Sequence, residues 1–323
     1  MKFKAFLAVI CITILQSCSN STETLTNNQI DASLRETIKR KNDSLFDALS
    51  NSNMKALKAL GSDDFNKHLR SRIESTVWAF RRGYLKEDNT EIYKEYYCKG
   101  TISKNMLIED EENKYSITFS NTQPEAYVSL LKSKYGKMED YLITVIYELV
   151  DGKWKLSNVE TGLLGHFDKN AQDYFEIAKQ KEKEGFLIDA AFNCDMAASF
   201  LEPAGDMLTY DNEERIEFYK NQWRKTLSEK YKFPYVLRNV ESQPAIMGIE
   251  PIKTVKGVYP KISYQTPIHL DETEFLEMEL AEIKKEIKKA IPDLDFSTDI
   301  IYYRAYNNSG SVPYYEHIHK KKN

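Results

Sequence analysis

The side chains of this chain that could do acid–base chemistry are few and widely spaced. Asp63, Asp64, His68, Tyr97 and His166 could each donate or accept a proton. An enzyme needs such a base to converge with an oxyanion donor in one cavity, and none of these spacings specifies that arrangement. A single histidine such as His68 on a helix is more often a surface residue than a base. We therefore predict no catalytic residues and leave enzymatic activity as an open alternative.

Two short segments could contribute to a metal site. In residues 316–319 (Glu-His-Ile-His), an extended backbone would place two imidazoles on one face, but a lysine-rich tail follows instead of a third ligand. The acidic run at residues 109–112 has no histidine or cysteine beside it and is typical of a solvated hairpin tip. The chain also lacks Cys-x-x-Cys, a glycine-rich phosphate loop and Gly-x-Ser-x-Gly. We predict neither a metal nor a cofactor.

The N-terminus carries the strongest motif in the chain. Lys2 and Lys4 precede an apolar run at residues 5–15, whose length fits a secretory signal rather than a membrane span. The run ends in Leu-Gln-Ser, followed by Cys18. This pattern resembles the lipobox of bacterial lipoproteins; the alternative is an ordinary cleaved signal with a chance cysteine. The resemblance implies that residues 1–17 are a signal peptide and that Cys18 becomes an N-terminus carrying a diacylglycerol and an N-acyl (palmitate) chain.

Anchoring through Cys18 would be stable, because two or more acyl chains hold a protein on a bilayer where one does so only marginally. Residues 18–29 are rich in Ser, Thr and Asn and lack apolar periodicity, which predicts a flexible, lipidated tether. Ser19 after the cysteine favours the outer membrane, by the sorting rule known for such lipoproteins in some Gram-negative bacteria. The leaflet and the oligomeric state stay open.

Cys98 and Cys194 are the cysteines that remain beyond the signal segment and the anchor. A disulfide between them could form in an oxidising envelope. However, Cys98 lies in a predicted strand, and Cys194 lies in a predicted helix that resembles part of a helical repeat, where its position implies a side chain that faces the helix core. Two separate buried thiols are the simpler interpretation.

Length and charge limit the architecture and the partners. The chain has 323 residues, a net charge of -4 and a pI near 5.9, so it offers no basic field for nucleic acid. Its length fits two or three domains. Periodicity and turn signals predict an α+β domain at residues 30–165, a helical unit at 168–235 and a small α+β domain at 240–323.

A predicted β-hairpin organises the first domain. Residues 141–150 are β-branched and aromatic, Asp151 and Gly152 form a strong turn signal, and residues 153–159 resume the strand pattern. A two-residue turn would place two residue pairs on a core face and one pair on a solvent face. The core-face pairs are Leu149 with Trp154 and Tyr147 with Leu156, and the solvent-face pair is Glu148 with Lys155.

Helices are predicted before this hairpin, at residues 31–50 with Asp31 as N-cap, between Ser62 and Gly83, and at residues 124–136. Helices followed by a sheet that ends in two long strands are similar to the nuclear transport factor 2-like (NTF2-like) fold, over residues 30–165. The resemblance implies a conical cavity, which some members use as an active site and others fill with side chains.

The remaining two units are shorter. Two predicted helices resemble a single tetratricopeptide repeat over residues 170–204, and a third helix, with Asp211 and Glu214 as a capping box, is expected to cover it. Further on, a strand, a helix capped by Asp271 and Glu274, and a second strand predict a β-α-β unit. Several tyrosines lie near the end of this unit: Tyr302, Tyr303, Tyr306, Tyr314 and Tyr315. They could form a platform for a carbohydrate or a peptide, but we favour the interpretation that they are half-buried residues of a strand.

Together these features predict a lipid-anchored protein of the bacterial cell envelope that acts as a binding or assembly module. Its expected partners are the membrane, through acylated Cys18, and a protein or a surface glycan. One alternative is a small-molecule carrier or enzyme that uses a cavity in residues 30–165, and another is a purely structural spacer. A cavity filled by Trp78, Tyr147 or Trp154 would count against the enzyme.

Overall fold

The structure of this chain is a computed structural model, which describes residues 23–100, 102–308 and 313–320. Within these residues it is mixed α+β, as predicted, with eight α-helices and three sheets. Cys18 and the signal segment lie outside the described residues, so the lipobox stays a prediction. No helix in the described ranges is both long enough and apolar enough to cross a bilayer.

The first half of the chain places helices before most of its strands. Its elements, in chain order, are β1 (Glu23–Thr26), α1 (Ala32–Ser50), α2 (Met54–Leu60), α3 (Asp63–Lys67), α4 (Leu69–Arg81), β2 (Thr90–Lys99), β3 (Ser103–Asp110), β4 (Tyr115–Asn121), β5 (Glu125–Tyr135), β6 (Glu139–Val150) and β7 (Lys153–His166). The main sheet has the order β1-β2-β5-β6-β7, and all neighbouring strands in it are antiparallel. β7 is therefore an edge strand.

The second half adds a helical layer and a third sheet. Its elements are α5 (Ala171–Lys183), α6 (Leu187–Ala198), β8 (Pro203–Asp206), β9 (Leu208–Tyr210), α7 (Glu213–Lys230), β10 (Tyr235–Val236), β11 (Ala245–Thr254), β12 (Gly257–Gln265), α8 (Thr273–Ala290), β13 (Ile300–Tyr306) and β14 (Tyr315–Lys320). β9 joins β3 and β4 in a three-stranded sheet, and β10 to β14 form a five-stranded one.

Helices α1 to α4 cover one face of the main sheet. Asp31 begins α1 as predicted, because its carboxylate accepts hydrogen bonds from the backbone N–H groups of Ser33 (2.9 Å) and Leu34 (3.1 Å). Tyr147 is completely buried in this core and Trp154 is nearly so, whereas Trp78 is half exposed. Side chains therefore fill the space between these helices and the sheet. Other members of this core are Ile38, Leu45, Leu49, Ile143, Leu156 and Val159.

The opposite face of the main sheet is covered by the β3–β4 hairpin and by α5, α6 and α7. One hydrophobic cluster joins sheet residues to helix residues: Leu130, Leu142, Ile146, Ala171, Phe175, Cys194 and Trp223. The helical unit predicted at residues 168–235 thus packs on the sheet of the preceding domain and shares a core with it. This packing buries apolar helix faces that a single helical repeat would leave exposed.

The prediction of a helix at residues 124–136 is wrong, because this segment forms the strand β5. Residues 126–131 are all buried, since the sheet is covered on both faces. A strand of this kind reads as a continuous apolar run and shows no polar alternation. The predicted helix between Ser62 and Gly83 is real but is interrupted at His68, where α3 ends and α4 begins.

Part of the predicted tether is regular structure. β1 pairs antiparallel with β2, with Glu23 opposite Lys99. The side chain of Asn27 then accepts a hydrogen bond from the backbone N–H of Glu95 (3.0 Å). Only the four residues 19–22 separate Cys18 from β1.

The predicted hairpin register is confirmed. All three predicted pairs are present, and the turn residues Asp151 (φ 47°) and Gly152 (φ 73°) have the positive φ that a two-residue turn requires. The expected solvent position of Glu148 is wrong. Its carboxylate is buried and accepts hydrogen bonds from the backbone N–H (2.9 Å) and the hydroxyl (2.6 Å) of Thr122.

The C-terminal sheet contains the predicted β-α-β unit. β12 and β13 are parallel, α8 connects them, and α8 buries an apolar stripe whose residues follow the 3.6-residue helical period: Leu276, Leu280, Ile283 and Ile287. Both predicted capping arrangements are wrong. The carboxylate of Asp271 contacts the ring of His269 instead of the start of α8, and α7 begins after Asn212 without a side-chain cap.

Candidate functional site

The structure does not bring together the five residues considered for acid–base chemistry. Asp63 and Asp64 lie at the start of α3 beside a surface groove, and His68 is exposed at the junction between α3 and α4. Tyr97 packs against the core under α1 to α4, and His166 lies at the far end of β7. These positions do not form one reaction centre.

His166 is a buried contact between two sheets. Its Nε2 lies 3.0 Å from Nζ of Lys253 on β11, and its ring packs edge-on against Phe200 with a centroid distance of 4.9 Å. Burial lowers the pKa of His166, and the neighbouring Lys253 ammonium lowers it further. A neutral imidazole that is enclosed in this way serves packing between the sheets.

The core under α1 to α4 contains a carboxylate, Glu95, that is almost completely buried. Its Oε2 accepts a hydrogen bond from Nε of Arg35 (3.0 Å), and its Oε1 accepts one from the hydroxyl of Tyr127 (2.6 Å). Both oxygens therefore have partners within the protein. We interpret Glu95 as half of a structural ion pair, because a catalytic acid needs an oxygen that faces the substrate.

The histidines considered for a metal site and the tyrosines considered for a platform lie on or beside the C-terminal sheet. On β14, Nδ1 of His317 is 2.9 Å from the Glu277 carboxylate, and its Nε2 is 3.3 Å from Nζ of Lys284. No group of three or more potential ligands within residues 23–100, 102–308 and 313–320 could hold a metal ion. Tyr303 is buried, whereas Tyr302 and Tyr306 are partly exposed on the same strand.

Cys98 and Cys194 carry free, buried thiols, as predicted. Burial raises the pKa of Cys98 to about 11 and that of Cys194 to about 12. Both side chains therefore stay protonated near neutral pH, and neither has the thiolate character of a nucleophile.

An open groove follows the edge strand β7, on the face of the main sheet that the β3–β4 hairpin covers. It consists of two adjoining cavities of about 460 Å³ and 520 Å³ that share Asp64 and Thr122. Residues from α3, α4, β3, β4, β6, β7, β8 and the turn between β8 and β9 line it. We call it the edge groove. Its polar lining includes Asp64, Arg72, Glu148, Asn158, Glu160 and Asp206.

A β-bulge in β7 shapes the edge groove. Tyr147 pairs with Leu156 but Ile146 pairs with Asn158, so Ser157 is one residue extra on β7. The carbonyl of Ser157 accepts a hydrogen bond from Nη1 of Arg72 (2.7 Å), which ties α4 to the bulge. A bulge re-aims the side chains that follow it, and Asn158 turns its amide toward the sulfur of Met207 (3.3 Å).

Carboxylates dominate the cavity next to β6. Asp64, Glu148, Glu160 and Asp206 line it, against the single guanidinium of Arg72, whose Nη2 donates to Asp64 (2.9 Å). Burial raises the pKa of Glu160, Arg72 lowers it and Asp206 raises it. The adjoining cavity is mixed in charge and contains three lysines: Lys67, Lys153 and Lys155.

The acids are distributed along the edge groove. Glu160 is opposite Thr144 on β6, four residues from Glu148. With a rise of about 3.3 Å per strand residue, the backbones of the two positions along β6 are about 13 Å apart. Both oxygens of Glu148 are bonded to Thr122, so the carboxylates that can accept hydrogen bonds from a ligand are those of Glu160 and Asp206.

Comparisons with known proteins do not extend this description. Searches of protein-family models, curated proteins and solved structures found no match. Of the groove residues, the sequence pointed to Asp64 as a site candidate and placed Glu148 in solvent, whereas Arg72, Glu160 and Asp206 were not singled out, because these residues come from separate segments and no spacing connects them. Alternation along β7 places Glu160 on the outward face of the strand, which is a weak indication of a surface site. The bulge shifts this alternation and makes the indication unreliable.

Proposed function

We propose that this chain is a lipid-anchored protein of the bacterial cell envelope that binds an extended polar polymer, such as a surface glycan, in the edge groove. In this proposal the anchor is the acyl chains on Cys18, which the resemblance to a lipobox implies. Ser19 supports the outer membrane as the location of the protein. The shape and lining of the groove support the choice of ligand.

The observation that carries the proposal is an open groove with repeated acceptors. The two cavities adjoin along the sheet edge, so a ligand can lie across both of them. Carboxylates such as Glu160 and Asp206 and the amide oxygen of Asn158 can accept hydrogen bonds from hydroxyl or amino groups. A protein-docking surface would instead have an apolar centre.

The fold resemblances are consistent with a scaffold. We propose an NTF2-like arrangement for residues 30–165, supported by helices that precede a sheet ending in the long β6–β7 hairpin. Tyr147 and Trp154 fill its interior, so the alternative of an enzymatic or carrier cavity there has less support. For the tetratricopeptide-like α5 and α6 we propose a packing role, because their apolar faces are buried against the main sheet.

Removing two acceptors tests the groove. We expect the double variant Glu160→Ala and Asp206→Ala to bind envelope polysaccharide at least about tenfold more weakly in affinity electrophoresis, because several hydrogen bonds to ionised groups are lost. Glu229→Ala, at an exposed position on α7, is the matched control and should bind as the unmodified protein does. Unchanged binding by the double variant, or no binding by the unmodified protein, would refute the groove as a polymer site.

The anchor has its own test. We expect Cys18→Ala to abolish incorporation of labelled palmitate and to move the protein from the membrane fraction to the soluble envelope fraction, because no acyl chain remains. The readouts are metabolic labelling and fractionation of full-length protein. A protein that keeps Cys18 and yet resides stably in the soluble fraction would contradict the lipoprotein proposal.

A further inference from the structure

A second pocket lies on the C-terminal domain, away from the edge groove. It has a volume of about 390 Å³ and is formed where α8 meets the loop before β11 and the segment after β12. Its walls combine apolar and acidic side chains: Ile268, Phe275, Met278, Glu241, Glu279 and Glu282. Phe275 and Met278 are 59% and 67% exposed, so this pocket presents two large apolar side chains to the solvent.

Glu279 forms the buried part of this pocket and is only 4% exposed. Its Oε1 accepts hydrogen bonds from the hydroxyls of Ser242 (2.5 Å) and Thr266 (2.7 Å), which fix the carboxyl group in place. Its Oε2 is also buried and has no hydrogen-bond partner. A buried polar atom without a partner is costly and rare in folded proteins, so the free oxygen requires an explanation.

Packing alone does not explain this acid. Glu279 lies on the buried side of α8 between Leu276 and Leu280, where an apolar residue would avoid the cost of desolvation. Burial raises the pKa of Glu279, the bonds from Ser242 and Thr266 lower it, and Glu282 raises it. A cation beside Oε2 would favour the ionised form and lower the pKa of Glu279.

We propose that this pocket binds the ammonium group of a lysine side chain presented by a partner protein. The ammonium donates to the free Oε2 of Glu279 once neighbouring side chains shift, because this oxygen has almost no exposed surface, and the four-carbon stem lies against the exposed Phe275 and Met278. Glu241 and Glu282 add negative charge at the rim. A lysine fits better than an arginine, because the planar guanidinium favours two free oxygens and Glu279 offers one.

Small lysine analogues test the site on the full chain. We expect Nα-acetyl-lysine N-methylamide to bind in titrations followed by the NMR signal of the Met278 methyl group. The norleucine analogue has the same stem without the charge, and the arginine analogue has a different cation, so both should bind at least about tenfold more weakly. Equal binding of the lysine and norleucine analogues would overturn the proposal.

Two variants of the pocket separate binding from folding. Glu279→Gln keeps an oxygen for Ser242 and Thr266, and we expect it to weaken binding of the lysine analogue at least about tenfold. Glu282→Gln on the rim leaves the buried bonds intact and should weaken binding several-fold, which keeps the test valid if the first variant fails to fold. Glu229→Gln on α7 is the control. Undiminished binding by both pocket variants would refute the site.

Discussion

Replacing Arg35 with methionine is expected to lower the free energy of unfolding by about 3 kcal/mol, because it leaves a buried charge without its counter-ion. Glu95 is 2% exposed and keeps only the hydroxyl of Tyr127 on its other oxygen. The Arg35 side chain is about one-third exposed, which places the expected loss at the lower end of the range for buried pairs.

A double-mutant cycle measures this ion pair directly. Glu95→Gln keeps an oxygen that can accept the hydrogen bond from Tyr127, so Arg35→Met combined with Glu95→Gln should unfold at a higher urea concentration than Arg35→Met alone. Lys39→Met, one turn further along α1 and exposed, is the matched control and should change the stability by less than about 0.5 kcal/mol. A small loss for Arg35→Met would show that Glu95 takes up a proton or finds water.

Replacing Asp189 with asparagine is expected to stabilise the protein by about 2–3 kcal/mol near pH 7.5. Burial raises the pKa of Asp189 to about 6, from an ordinary value of 3.8, and this difference corresponds to about 3 kcal/mol. Its Oδ2 accepts a hydrogen bond from the backbone N–H of Asp295 (2.7 Å), and this bond joins α6 to the segment before β13. Asparagine can accept the same bond without a buried charge.

The pH dependence of this gain has a defined sign. Below pH 3.8 the Asp189 carboxyl is protonated in both the folded and the unfolded states, so the substitution should have little effect. As the pH rises from 3.8 to about 6, the Asp189 carboxyl ionises in the unfolded state before it ionises in the folded state. The unmodified protein therefore loses stability relative to the asparagine variant over this pH range. Urea denaturation at several pH values measures this difference, with Asp211→Asn as an exposed control. A gain that is independent of pH would contradict the buried-charge explanation.

The elements that the sequence specified locally were predicted well. The β6–β7 hairpin follows from Asp151 and Gly152, whose positive φ angles set the turn, and from residue types on either side of it. The buried stripe of α8 follows from its 3.6-residue period. In both cases neighbours in sequence decide the outcome.

The elements that depend on distant layers were not predicted. In β5, Tyr127, Leu130 and Leu131 have helical spacing, yet they point to opposite faces of a strand that is buried on both sides. Only the presence of α1 to α4 on one face and of α5 to α7 on the other makes that segment a central strand.

The edge groove was unpredictable for a related reason. Arg72 belongs to α4, Glu148 and Glu160 to the hairpin, and Asp206 to β8, and a bulge at Ser157 sets their relative positions. The bulge shifts the register after Tyr147, and a pattern of alternating residues cannot reveal such a shift. Glu148, which was expected to face solvent, lines the groove instead.

The short strand β1 limits how far an anchored molecule could range. With β1 paired from Glu23 onward, five peptide steps separate Cys18 from the sheet, and they span at most about 18 Å when fully extended. On the proposed anchor, the folded part would occupy a thin layer beside the bilayer and diffuse in two dimensions. Ligands confined to the same layer would have a high effective concentration at the groove, whereas polymer segments farther from the membrane would be out of reach.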